Sequence, residues 1–166
     1  MFAGYSELLN ELNSWLWLAT IILPFLVLLT RSGNRSYFVV AAVWCSVQLL
    51  NLKIEGFLWE TSKNNLIYWF GTWATIDALS IILVLASHKT LKIKLGFEAF
   101  SISICIAILA LLQIGTYIDG AVLKTYLMKE AYTIGVNTGN LANALILSVP
   151  LLSVCLNTFK QRRRAM

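Results

Sequence analysis

The sequence predicts an all-α fold: a polytopic membrane helical bundle of five transmembrane helices, with the N-terminus outside and the C-terminus cytoplasmic. Three observations predict it. Hydrophobic residues make up 58% of the chain, where soluble domains sit near ~45–50%. Charged residues make up 13%, about half the usual ~25%. The apolar residues also fall into five continuous runs, each close to the ~20 residues that cross a bilayer as a helix. The mean hydropathy of +0.74 agrees. Strands of a membrane barrel alternate apolar and polar residues, and these runs do not. The composition excludes disulfide scaffolds, disordered tails and nucleic-acid binders. The 166 residues are read as one domain, 1–166, with no internal repeat and no linker rich in Pro, Ser or Gly.

The first run covers residues 13–30 and contains Pro24, which kinks a helix or frees a carbonyl. Before it stand Glu7 and Glu11, with Leu8, Leu9, Leu12 and Trp15 at helical spacing, so an amphipathic lead-in is expected to run into the span. Its acidic character argues against a signal peptide, which needs a positive start. The second run, 37–54, has only a short uninterrupted apolar part. Trp44, Gln48, Asn51 and Glu55 follow one another at spacings of 4, 3 and 4, which makes one stripe of this helix polar. The third run is 66–87, the fourth 95–118, and the fifth 134–159 with Pro150 inside it. Between the last two, Val122, Leu123, Tyr126 and Leu127 suit a short interfacial helix.

The connections alternate in charge. Arg31, Arg35, Lys89, Lys92, Lys94, Lys160 and Arg162 to Arg164 put nine basic residues on one side; Lys53, Lys63, Lys124 and Lys129 leave four on the other. The positive-inside rule then sets the orientation. It also accounts for the net charge of +5 without a nucleic-acid partner. Membrane lipids are the expected surroundings, the cell membrane the expected location, and a second copy or another membrane protein the expected protein partner. The sequon Asn34-Arg35-Ser36 falls on the cytoplasmic side and is expected to be silent. Trp15, Trp17, Trp59, Trp69, Tyr37, Tyr117 and Tyr132 lie near span ends and read as interface anchors. Trp44 and Trp73 lie deeper and need packing partners.

Asp77 stands at the midpoint of the third run, where a carboxylate costs roughly 2.5–3.5 kcal/mol. No intramembrane Lys or Arg is available to pair with it. Three states are open: protonated, ionised in a wet cavity, or holding a cation or amine. The structural alternative is a neutral acid in an interhelical hydrogen bond, worth ~0.6–2 kcal/mol. Trp69, Trp73, Asp77 and Ser80 share a face at spacings of 4, 4 and 3, and two indoles beside a carboxyl suit an amphipathic or cationic molecule. Gln48, Asn51, Gln113, Thr116, Asn137, Asn140 and Asn143 lie mostly in the outer half and suggest a polar vestibule with Asp77 at its floor. Interhelical hydrogen bonding explains them equally well. The candidate ligand- or ion-binding residues are therefore Asp77, Trp73, Trp69, Ser80, Gln48, Asn51, Gln113 and Asn140.

Gly135 and Gly139 form a G-x-x-x-G, which lets helix backbones approach within one subunit or between subunits. Cys45, Cys105 and Cys155 read as small buried hydrophobes, His88 as a solvated helix-end histidine, and Glu98 as a helix-start charge near Lys94. One histidine and no C-x-x-C leave no metal or cofactor to expect. No phosphate loop, catalytic triad, H-E-x-x-H or EF-hand motif is present, and no catalytic residue is assigned. Three functions remain open. The first is binding or translocation of a small lipophilic or cationic molecule, proton or ion through a polar interior centred on Asp77. The second is a structural or accessory membrane subunit. The third is a small membrane enzyme using Asp77, with Glu98 as a second acid.

Overall fold

The computed structural model describes residues 3–63 and 65–165, with side chains described for 15–63, 65–161 and 163. Every regular element among them is helical. Helix α1 spans Ala3–Leu29, α2 Arg35–Ser62, α3 Leu66–Thr90, α4 Phe97–Tyr117 and α5 Met128–Ala165. A π-helical turn, Ile118–Leu123, extends α4. Four of these helices are long and apolar enough to cross a membrane, and Trp15–Leu29 of α1 adds a shorter apolar one. The protein is a helical membrane bundle. The continuous course of α1 from Ala3 agrees with a lead-in that joins the span; the side chains of Glu7, Leu8, Leu9, Glu11 and Leu12 lie outside the described residues.

Local chemistry sets the helix ends. Asn34 accepts the Tyr37 N–H at 2.8 Å and Asn65 accepts the Ile67 N–H at 3.0 Å, each satisfying a donor that the first helical turn leaves open. Helices α1 and α3 close on a left-handed residue, Arg31 at φ 51° and Lys92 at φ 53°. The next N–H in each case reaches back five residues, Ser32 to the Val27 carbonyl and Ile93 to the His88 carbonyl, a C-terminal closure that usually employs glycine.

Helix α1 packs on α5, α5 on α4, α4 on α3 and α3 on α2; α2 also touches α4, and meets α1 along a thinner seam. Short connections make sequential helices antiparallel, so the two ends of the bundle differ. Val27, Tyr37, Val40, Ala41, Trp44, Val84, Ala99, Ile102, Ile106 and Leu147 form one buried cluster. These residues occupy the half that carries the α1–α2 and α3–α4 connections. The other half is looser and more polar.

Several expectations change. Helix α2 runs eight residues past the end expected at 54, because charged residues such as Glu55 and Glu60 are good helix formers once the apolar run ends; Lys63, at its C-cap, pairs with Glu60 at 2.7 Å on the surface. Helix α5 has 38 residues, about 57 Å at 1.5 Å per residue, well beyond a ~30 Å hydrocarbon layer. In place of a short interfacial helix before it, the connection folds around Asp119: its carboxylate accepts the Thr125 hydroxyl and, at 3.0 Å, the Met128 N–H. Tyr37 is no interface anchor, since it is fully buried and donates its hydroxyl to the Leu147 carbonyl at 3.0 Å. Cys155 is exposed on α5 rather than buried, and none of the three cysteines is bridged.

His88 and Glu98 are both buried rather than solvated. The Gly96 N–H donates to Ser36 Oγ at 2.8 Å, and Ser36 Oγ lies 2.8 Å from His88 Nε2. His88 Nδ1 lies 2.7 Å from the Val84 carbonyl. A carbonyl only accepts, so Nδ1 carries a proton and donates it there, while Nε2 bonds the Ser36 hydroxyl. The chain of bonds ties α2, α3 and the start of α4 together, and among the described residues Lys94 forms no salt bridge with Glu98. Gly135 and Gly139 pack inside the subunit: a Cβ on Gly139 would stand 2.8 Å from Leu109 Cδ2, and one on Gly135 would strike Leu112.

Candidate functional site

A cavity of about 200 Å³ opens in the looser half of the bundle. Helix α2 presents Trp44, Gln48, Asn51 and Glu55 to it, together with Val47. Those four are one helical stripe, so a single face of α2 forms a wall. Helix α3 supplies Trp69, Trp73 and Asp77, again a single stripe; α4 supplies Leu109 and Gln113; α5 supplies Tyr132, Val136 and Asn140; and α1 adds Trp17. Seven of the eight residues singled out from sequence meet here. The eighth, Ser80, is not in the lining; it is buried and donates its hydroxyl to the Ile76 carbonyl at 2.6 Å. Thr116, Asn137 and Asn143 are buried elsewhere in the bundle.

Aromatic contacts organise the walls. Trp59, Trp69 and Trp73 stand edge to face, with centroids 5.8 and 5.7 Å apart, an arrangement that indole quadrupoles favour. Trp69 donates its indole N–H to the Tyr132 hydroxyl at 3.3 Å, and Tyr132 in turn meets Phe70 edge to face at 5.3 Å. The pairs hold α2, α3 and α5 in register around the opening.

The lining carries two carboxyl groups, Asp77 and Glu55, and no Lys, Arg or His. Among the described residues, no salt bridge involves either of them. Trp44 Nε1, Asn51 Oδ1 and Gln113 Oε1 are buried in the lining without a hydrogen-bond partner from the described residues. The cavity volume is about 200 Å³. It falls below the ~300–1,000 Å³ of sites for drug-sized ligands. The lining has no serine, cysteine or lysine to act as a nucleophile. Glu98, considered above as a second acid beside Asp77, does not reach this cavity. Among the described residues no group of three or more His, Cys, Asp or Glu is placed to hold a metal ion.

Glu55, Trp17, Trp44 and Tyr132 are lining residues that sequence reasoning did not select. Glu55 had a signal, as the last member of the Trp44 stripe, but reads as a loop residue when α2 is ended at 54. Trp17 and Tyr132 are hidden by their resemblance to interface anchors. A groove between α1 and α2, lined by Trp17, Leu18, Asn51, Leu52 and Glu55, shares three residues with the cavity and lies along the thin α1–α2 seam. Comparison of the chain with protein-family models, curated proteins and solved structures finds no match.

Proposed function

We propose that this membrane protein binds a small cation in the α2–α3–α4–α5 cavity, as a receptor or as one step of translocation. The observation that carries the reading is the charge of the lining: two carboxyls, five aromatic rings and no basic group. A cation is drawn to carboxylates, here the half-buried Asp77 and the exposed Glu55, and to the faces of indole rings. The size of the cavity favours a compact ion over the larger lipophilic molecules that the sequence leaves open. Under the same reading the N-terminus is outside, the cavity faces the outer side, and the protein sits in the cell membrane as a single domain.

The accessory-subunit reading draws less support, because the face of Gly135 and Gly139 is already occupied by Leu112 and Leu109. The enzyme reading lacks a nucleophile in the lining. Native mass spectrometry of the protein in mild detergent tests the proposal. It is expected to retain a small cationic adduct on wild type and lose it on Asp77→Asn. Equal adducts on both proteins, or none on wild type incubated with millimolar ammonium salts, would count against it.

A further inference from the structure

We infer that the cavity selects ammonium ions that still carry N–H donors and an accepting oxygen nearby, the chemistry of a small protonated amino alcohol, over quaternary ammonium ions. The inference rests on the cation-binding reading above and names its ligand class. A bare aromatic cage recognises charge alone and accommodates methylated ammonium well. This lining is different. Asn51 Oδ1 and Gln113 Oε1 are acceptors without a partner from the described residues, and Trp44 Nε1 is a donor in the same condition. Trp44 and Gln113 are only 5% and 6% exposed, so bulk water does not solvate these atoms.

A buried polar atom left unpaired is costly, and a ligand that pairs it recovers that cost. The two amide oxygens, with Asp77 and Glu55 in the same lining, ask for a donor-rich cationic head. Bonds from such a head to carboxylates are charge-assisted and therefore strong. The Trp44 N–H asks for the opposite, an accepting oxygen on the same molecule. A trimethylated nitrogen has no N–H to give to either amide oxygen. A neutral diol offers oxygens but no charge for Asp77 and Glu55.

The test is isothermal titration of the full-length protein in mild detergent with ethanolamine, choline and ethylene glycol. Ethanolamine is expected to bind, choline about tenfold or more weakly than that, the equivalent of roughly one lost charge-assisted bond, and ethylene glycol not at all. Gln113→Met keeps the side-chain length without the acceptor. It is expected to narrow the preference while retaining choline binding, which also shows that the variant is folded. Choline binding as tightly as ethanolamine would overturn the proposal and leave cation binding standing. No heat from either ammonium ion would overturn both. The head of an ethanolamine phospholipid carries the same chemistry as the free amine. Nanodiscs of phosphatidylcholine, with and without phosphatidylethanolamine, separate the sources: loss of ethanolamine binding in the mixed discs supports the headgroup, and unchanged binding supports the free molecule.

Discussion

Trp69 and Tyr132 join α3 to α5 by an indole N–H donated to a phenol oxygen at 3.3 Å, in the wall of a cavity that both residues line. Removing the acceptor with Tyr132→Phe keeps the ring and its packing. The expected loss is about 0.5–1.5 kcal/mol of stability, read as a lower unfolding midpoint in detergent. Unchanged stability would mean that the bond contributes nothing to holding the wall.

Gly139 packs where a Cβ would stand 2.8 Å from Leu109 Cδ2. Gly139→Leu therefore overpacks the α4–α5 contact, at about 1–3 kcal/mol. Because this face is internal, the mass measured by light scattering of the folded fraction should match wild type. A change of oligomeric state with no loss of stability would instead point to a contact between subunits.

Ser36 accepts from Gly96 and shares a hydrogen bond with His88 Nε2. Ser36→Ala leaves a backbone donor and a ring nitrogen without their partner, at about 1–3 kcal/mol. The double variant Ser36→Ala, His88→Ala should cost clearly less than the two single changes added together, because both act in one network. Additive effects in a double-mutant cycle would dissolve the proposed coupling.

Lys92 closes α3 with φ at 53°, a conformation that costs a side-chain-bearing residue roughly 1–2 kcal/mol. Lys92→Gly is expected to stabilise the protein by up to about 1 kcal/mol. A loss of stability would show that the lysine side chain contributes more than its backbone strain removes.

Sequence patterning reveals much of this architecture for a physical reason: lipid requires long apolar helices, and such helices are written as continuous runs. The stripes Trp44–Gln48–Asn51 and Trp69–Trp73–Asp77 were also readable, since helical periodicity alone decides which residues share a face. What periodicity does not give is which faces turn toward one another. Ser80 shares the Asp77 stripe, yet its hydroxyl is satisfied by the Ile76 carbonyl and it does not line the cavity. His88 looks like a helix-end residue until Ser36, 52 positions earlier in the chain, is brought beside it. Glu55 was lost to a boundary, because a hydrophobic run ends before its helix does. Arg31 and Lys92 close their helices without the glycine that usually signals such an end.

In the proposed function, Asp77 gives the cavity its affinity for a cation. The most direct measurement is titration of ethanolamine into wild-type protein and Asp77→Asn, whose amide has nearly the same shape as the acid. Saturable binding to wild type is expected, with at least a tenfold weaker response in the variant and the unfolding midpoint of the empty protein preserved or raised. Equal binding by a folded Asp77→Asn protein would contradict it.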